Sequence, residues 1–169
     1  MYESVPLTEK HNVERFSCGV VQLDEWLSSY AKHAAVMNTA RTFVWVQPDS
    51  VVVGYYSLAG HQVAREALPR GVARGGPLQI PAVLIGKLAL DSALQGHERR
   101  FGGELLVDAL RRVLKATQLV AARLVVVDAI NDNALSFYEH FGFVRTAPDS
   151  YRLVRKISDI AADLAGLDD

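Results

Sequence analysis

Three stretches of the chain combine residue types and spacings that can do chemistry. They are Leu88-Ala89-Leu90-Asp91, then Arg99-Arg100-Phe101-Gly102-Gly103-Glu104-Leu105-Leu106, then Asn131-Asp132-Asn133-Ala134-Leu135-Ser136-Phe137-Tyr138-Glu139-His140-Phe141-Gly142-Phe143. They read as a strand, a glycine-containing turn that opens an apolar helix, and a second strand-to-helix unit closed by aromatic residues. A strand that leads through a tight turn into a helix presents free backbone N–H groups and a positive dipole end to an anion. Residues 99 to 104 are placed to do this. Tyr138 carries a hydroxyl that must find a partner if buried, and a phenol with a reference pKa of about 10 can donate a proton. Phe137, Phe141 and Phe143 read as core aromatics, and Gly142 ends its helix as a left-handed cap would.

The elements that must position these residues are legible from hydrophobic period. Leu23, Trp26, Leu27, Tyr30 and Ala31 recur at helical spacing, with Asp24, Glu25 and Ser28 facing water. Thr42–Val46 and Val51–Leu58 flank Pro48-Asp49-Ser50 and predict a hairpin. From Ala64 to Gln79 the chain holds Pro69, Gly71, Gly75, Gly76 and Pro77 among arginines, which predicts a basic loop, either a plain connector or a substrate-facing lid. Ile80–Leu90 reads as a central strand with Gly86 in its middle, a mark of a bulge or of close backbone approach. Leu105, Leu106, Ala109, Leu110, Val113 and Leu114 give a helical stripe. A strand over Leu124–Val127, a helix from Asn133 to about His140 and a final strand pair at Val144 and Tyr151–Val154 follow. The tail from Ile157 carries Ile160, Ala161, Leu164 and Leu167 at helical spacing, as a terminal or partner-facing helix.

A chain of 169 residues, half of them hydrophobic, is expected to fold as one domain. It has no apolar run near the ~20 residues that span a bilayer and no signal-peptide pattern at its start, so a cytoplasmic address is expected. Cys18 is the lone cysteine, which excludes an internal disulfide and a multi-cysteine zinc site, and no metal is expected. It reads as a small buried residue. The formal net charge of −1 gives no global case for a nucleic-acid partner. Basic residues nevertheless gather at Arg65, Arg70 and Arg74, at Arg99 and Arg100, at Arg111, Arg112 and Lys115, and at Arg145, Arg152, Arg155 and Lys156. Singly these are solvated faces. Converging on one cleft, they would make a basic surface.

The order and spacing of the three stretches resemble the acyl-CoA-binding half of the GCN5-related N-acetyltransferase (GNAT) superfamily. Asn131, Ala134, Phe137 and Tyr138 match its Asn-x-x-Ala-x-x-Phe-Tyr pattern, followed by Gly142-Phe143. The resemblance implies an α/β fold, a mixed twisted sheet flanked by helices, as a single domain over residues 1–169. It implies acetyl-CoA as co-substrate, its pyrophosphate on the turn of His97, Arg99, Arg100, Phe101, Gly102, Gly103 and Glu104. Leu88, Ala89 and Leu90 would offer backbone N–H groups to the oxyanion. Asn131 would contact the pantetheine arm, with Phe137 on the cofactor side, and Tyr138 would be the general acid for the departing thiolate. The turn departs from the family's Gln/Arg-x-x-Gly-x-Gly/Ala. Either Arg100 stands at the first glycine and His97 at the Gln/Arg, or Gln95-Gly96 opens the motif with a two-residue insertion before Phe101.

A narrower resemblance rests on Phe16-Ser17-Cys18-Gly19, Leu23-Asp24-Glu25-Trp26-Leu27, Val53-Gly54-Tyr55-Tyr56-Ser57-Leu58 and Ile80–Ala89. These look like the bacterial GNAT toxins that acetylate the amino acid on aminoacyl-tRNA, each held by a ribbon-helix-helix antitoxin. That branch implies a homodimer and a block of translation. No residue stands out as a general base, with Asp91, His61 and Glu139 the nearest candidates. An α-amine, reference pKa about 7.7–8.0, is partly neutral at pH 7 without one. The alternatives are acetylation of a protein amine or small polyamine, and a non-catalytic acyl-CoA-binding module.

Overall fold

Val5–Pro6 (β1), Arg41–Val46 (β2), Val52–Ala64 (β3), Gln79–Leu90 (β4), Leu124–Asp128 (β5), Val144–Arg145 (β6) and Arg152–Lys156 (β7) are the strands of the computed structural model, which describes residues 2–169. The helices are Val21–Glu25 (α1), Ala31–Val36 (α2), Arg70–Ala73 (α3), Phe101–Ala116 (α4), Asp132–His140 (α5) and Ile157–Asp168 (α6). The strands form a seven-stranded sheet in the order β1-β2-β3-β4-β5-β7-β6. The β4/β5 ladder is parallel, whereas β1/β2, β2/β3, β5/β7 and β6/β7 are antiparallel. A parallel pair needs a crossover, and α4 supplies it. This is the expected mixed α/β sheet with flanking helices.

The chain's contacts fall into two compact units, and β3, β4 and α4 contribute residues to both. The first holds the chain up to Ala59 together with Gly86–Leu110; its core packs Phe16, Leu27, Val44, Val52, Tyr55 and Ala89. Within it, Asp108 of α4 accepts from the Trp45 indole at 3.0 Å, the Tyr56 hydroxyl at 2.7 Å, the Ser4 hydroxyl at 2.5 Å and the Ser4 amide at 3.2 Å. A carboxylate so surrounded ties helix, hairpin and N-terminal segment together, because charge-assisted bonds are the stronger class. The second unit holds Gly60–Ile85 and Arg111–Asp169, with Val63, Leu68, Ile80, Leu124, Val126 and Val154 in its core. Leu124 to Val127 are fully buried, as a near-continuous β-branched run covered on both faces should be.

Some expectations change in detail. The first helix is interrupted by a π-helical turn, Trp26–Tyr30, closed by the Ala31 amide on the Trp26 carbonyl. The extra residue shifts the phase, so Tyr30 leaves the apolar stripe and is 59% exposed. Asp24, expected to face water, accepts from the Cys18 amide at 2.9 Å. The basic connector is not an open loop: a 3₁₀ turn at Arg65–Ala67 and α3 occupy it. Arg65 donates to the Gly76 carbonyl at 3.0 Å and Arg123 to the Arg74 carbonyl. The tail is helical as expected. It buries Ile160 and Leu164 and is joined by Arg111 to Asp168 at 2.9 Å.

Candidate active site

In the first unit, the segment between β4 and α4 is a built turn. Gln95 donates its side-chain amide to the Leu90 carbonyl at 2.7 Å and the Cys18 carbonyl at 2.8 Å, which ties the turn to the end of β4. Gly96 has φ +72° and Arg100 φ +55°, both left-handed. Arg100 thus adopts a glycine-like backbone at a cost of roughly 1–2 kcal/mol, the reference penalty for a side chain there. Its N–H donates to the His97 carbonyl at 3.1 Å, and its own carbonyl accepts from Gly103 at 3.1 Å to start α4. His97 donates from Nε2 to the Ala93 carbonyl at 2.8 Å and packs edge-on against Phe101. Arg99 is bonded to Glu104 at 2.9 Å and lies 5.1 Å from the Phe101 ring centroid. Arg99 and Glu104 therefore neutralise one another, whereas Arg100, also exposed, has no ion pair among the described residues. Glycines at 102 and 103 put no side chain over the helix start. The turn fits a diphosphate: backbone donors, a dipole end and one cation.

Leu88, Ala89 and Leu90 form the last part of β4. The parallel ladder with β5 runs from Ala82↔Leu124 to Ile85↔Val127 and stops there, so these residues lie beyond it. Ala89 packs into the core of the first unit, which leaves the backbone as its means of contacting a ligand.

In the second unit, Asn131 caps α5: its Oδ1 accepts from the Ala134 amide at 2.8 Å, and its own backbone is extended. That is a structural task for the motif's first residue, and it leaves the amide –NH₂ to donate elsewhere. Tyr138 is buried, with its ring edge-on to Phe137 at 5.3 Å and to Phe143 at 5.7 Å. Burial, with the Asp128 carboxylate adding to it, raises the Tyr138 pKa well above that of an ordinary phenol. The hydroxyl stays protonated, as a proton donor must. Gly142 has φ +85°, as expected of a left-handed cap.

Each named candidate base is engaged. Asp91 accepts from the Ala93 amide at 2.9 Å and the Ser17 amide at 3.0 Å. Glu139 pairs with Arg145 at 3.1 Å. His61 faces Arg152 at 3.1 Å from Nε2, and Arg152 in turn forks onto both oxygens of Asp128. Sequence reading placed Arg152 in a basic cluster and missed Asp128, although an acid closing a β-branched strand was the available signal. Cys18 is buried, and burial raises its thiol to about 11, so it is no nucleophile.

The mixed sheet, the glycine-containing turn into α4 and the buried tyrosine of α5 are features of an acetyltransferase of the GNAT type. No family model matches the chain. It is 35% identical over 156 residues, 92% of either chain, to the tRNA-acetylating toxin of Mycobacterium tuberculosis. The chain belongs to the tRNA-acetylating toxin family. Among solved structures it resembles AtaT complexed with acetyl-methionyl-tRNAfMet, with 27% identity, TM-score 0.86 and coverage of 97% of this chain and 99% of that one. It also resembles a tyrosine-to-phenylalanine mutant of AtaT bound to the C-terminus of the antitoxin AtaR and acetyl-CoA. There the identity is 25%, the TM-score 0.80, and 96% of this chain and 98% of that one are covered.

Proposed function

We propose that this protein is an acetyl-CoA-dependent N-acetyltransferase that acetylates the α-amine of aminoacyl-tRNA and so blocks translation as the toxin of a toxin–antitoxin pair. The observation that carries the reading is family membership over nearly the whole chain, joined to a buried, protonated phenol at Tyr138. Residues 1–169 act as one acetyltransferase domain.

Each residue has a defined task. The N–H groups at the start of α4 and the Arg100 guanidinium hold the pyrophosphate, with His97, Arg99, Phe101 and Glu104 fixing the turn around Gly102 and Gly103. Leu88, Ala89 and Leu90 offer backbone N–H groups to the acetyl oxygen as charge develops there. Asn131 donates its side-chain –NH₂ to the pantetheine arm while its Oδ1 caps α5, and Phe137 packs beside Tyr138. As the substrate amine forms the new C–N bond, the C–S bond breaks and the phenol of Tyr138 gives its proton to the departing sulfur, and the proton that the nitrogen sheds on becoming an amide restores the phenol. The engaged state of Asp91, Glu139 and His61 supports a substrate that needs no strong base. A free α-amine is such a substrate.

The arginines around the connector support the tRNA contact. Arg65, Arg70 and Arg74 line an open cavity of about 830 Å³ in the second unit. Phosphates would be met there by a local patch on a molecule of near-zero net charge. A ribbon-helix-helix antitoxin, a homodimer and a cytoplasmic setting complete the proposal. Among the described residues no helix is long and apolar enough to cross a membrane. The test is incubation with labelled acetyl-CoA and a charged tRNA pool, then identification of the labelled aminoacyl ester. Transfer to protein lysines or polyamines but to no charged tRNA would reject the reading.

A further inference from the structure

Strands β3, β5 and β7 of the second unit bring one polar cluster together. Arg152, the first residue of β7, lays Nε and Nη2 on the two oxygens of Asp128, the last residue of β5, at 2.8 and 2.9 Å. Its Nη1 donates to Nε2 of His61, in β3, at 3.1 Å. A guanidinium has donors only. Nε2 of His61 is therefore the acceptor, and the proton of the neutral ring sits on Nδ1. The ring is partly exposed, and the hydrogen bond to Arg152 is made by the other nitrogen. The Nδ1–H is thus a fixed, neutral donor.

What such a donor takes follows from charge and place. Carboxylate, guanidinium and neutral imidazole sum to zero, so the cluster has no net positive charge with which to hold a phosphate. A neutral oxygen suits it. The cluster stands at the carboxyl end of β5, and α/β sheets bind ligands outside the carboxyl ends of their parallel strands. The Asp128 charge also acts on the Tyr138 hydroxyl, which ties the cluster electrostatically to the proton donor.

We propose that His61 binds substrate, donating from Nδ1–H to the carbonyl oxygen of the aminoacyl ester, and that Arg152 is the positioning residue that fixes the ring for this. The assignment rests on the aminoacyl-tRNA reading above. His61→Gln keeps an acceptor for Arg152 but removes the donor at the Nδ1 position, whereas His61→Asn keeps a donor there. The expected result is a KM for charged tRNA raised about five- to tenfold in His61→Gln, the scale of one lost neutral hydrogen bond. His61→Asn recovers most of this. Affinity for acetyl-CoA and for uncharged tRNA, which lacks the ester, stays within about twofold and reports that the variants are folded. Arg152→Lys shows the same pattern, and the double variant with His61→Gln is no worse than either single one. An unchanged KM in His61→Gln overturns the proposal. So does an equal loss of affinity for uncharged tRNA, which would make His61 a contact to nucleic acid instead. A parent protein that binds acetyl-CoA but acetylates no charged tRNA overturns the substrate reading itself, and this assignment with it.

Discussion

Tyr138 and Arg100 show how much a single side chain is asked to do here. Tyr138→Phe keeps the ring against Phe137 and Phe143 and removes the proton. Transfer should fall at least about a hundredfold, the lower range for general acid catalysis, while acetyl-CoA affinity measured by calorimetry is retained. The pH profile carries the same logic. Burial raises the Tyr138 pKa, so the donor form persists into alkaline solution. The substrate α-amine loses its proton near pH 8. Turnover should therefore climb through pH 7–8 and show no descent up to about pH 9.5; a falling limb near pH 8.5 would remove the phenol as donor. Arg100→Gly relieves the left-handed strain at φ +55° but loosens the unfolded chain, and these oppose each other within about 1 kcal/mol. Stability should hardly move. Acetyl-CoA affinity should drop a few-fold and become less salt-sensitive, which a titration at two ionic strengths would read.

The helix α4 depends on Asp108 for its seat. Asp108→Ala takes the acceptor from Trp45, Tyr56 and Ser4 together, and leaving buried donors without this partner should cost about 2–4 kcal/mol. A denaturant midpoint would show it. At the end of α5, a Cβ on Gly142 would meet Arg155 Nε at 2.9 Å at a φ of +85°. Gly142→Ala should cost about 1–2 kcal/mol. These elements divide by how far apart their determinants lie in sequence. The stripe of α4, the β-branched run of β5 and the hairpin turn at Pro48-Asp49-Ser50 are local patterns, and the sequence predicts all of them. The π-helical turn was not legible, because an inserted residue in a helix leaves no residue type behind. Asp108 is 104 positions from Ser4, and Arg152 is 91 from His61. No spacing rule reaches that far. The candidate site divides the same way: the Asn131 motif and the Gly102-Gly103 turn stand out as local patterns, whereas the pairing of Arg99 with Glu104 and the commitment of each candidate base required the fold.

As a whole molecule, the protein combines a net charge of −1 with basic residues gathered in local clusters, one of them Arg65, Arg70 and Arg74 on the connector between β3 and β4. Under the proposed function the contact with tRNA is local, and KM for charged tRNA should rise at least about tenfold between 50 and 200 mM salt, with the KM for acetyl-CoA moving less. Expression without an antitoxin should arrest bacterial growth, and Tyr138→Phe should permit it. Normal growth with folded parent protein would count against the toxin reading. Cys18, the lone sulfhydryl, is folded inside the first unit with its pKa raised to about 11. Maleimides should therefore find almost nothing to attack. A cysteine introduced anywhere on the surface would be the single labelling point for a fluorophore, so the tRNA encounter can be followed by dye pairs without first engineering a thiol-free background.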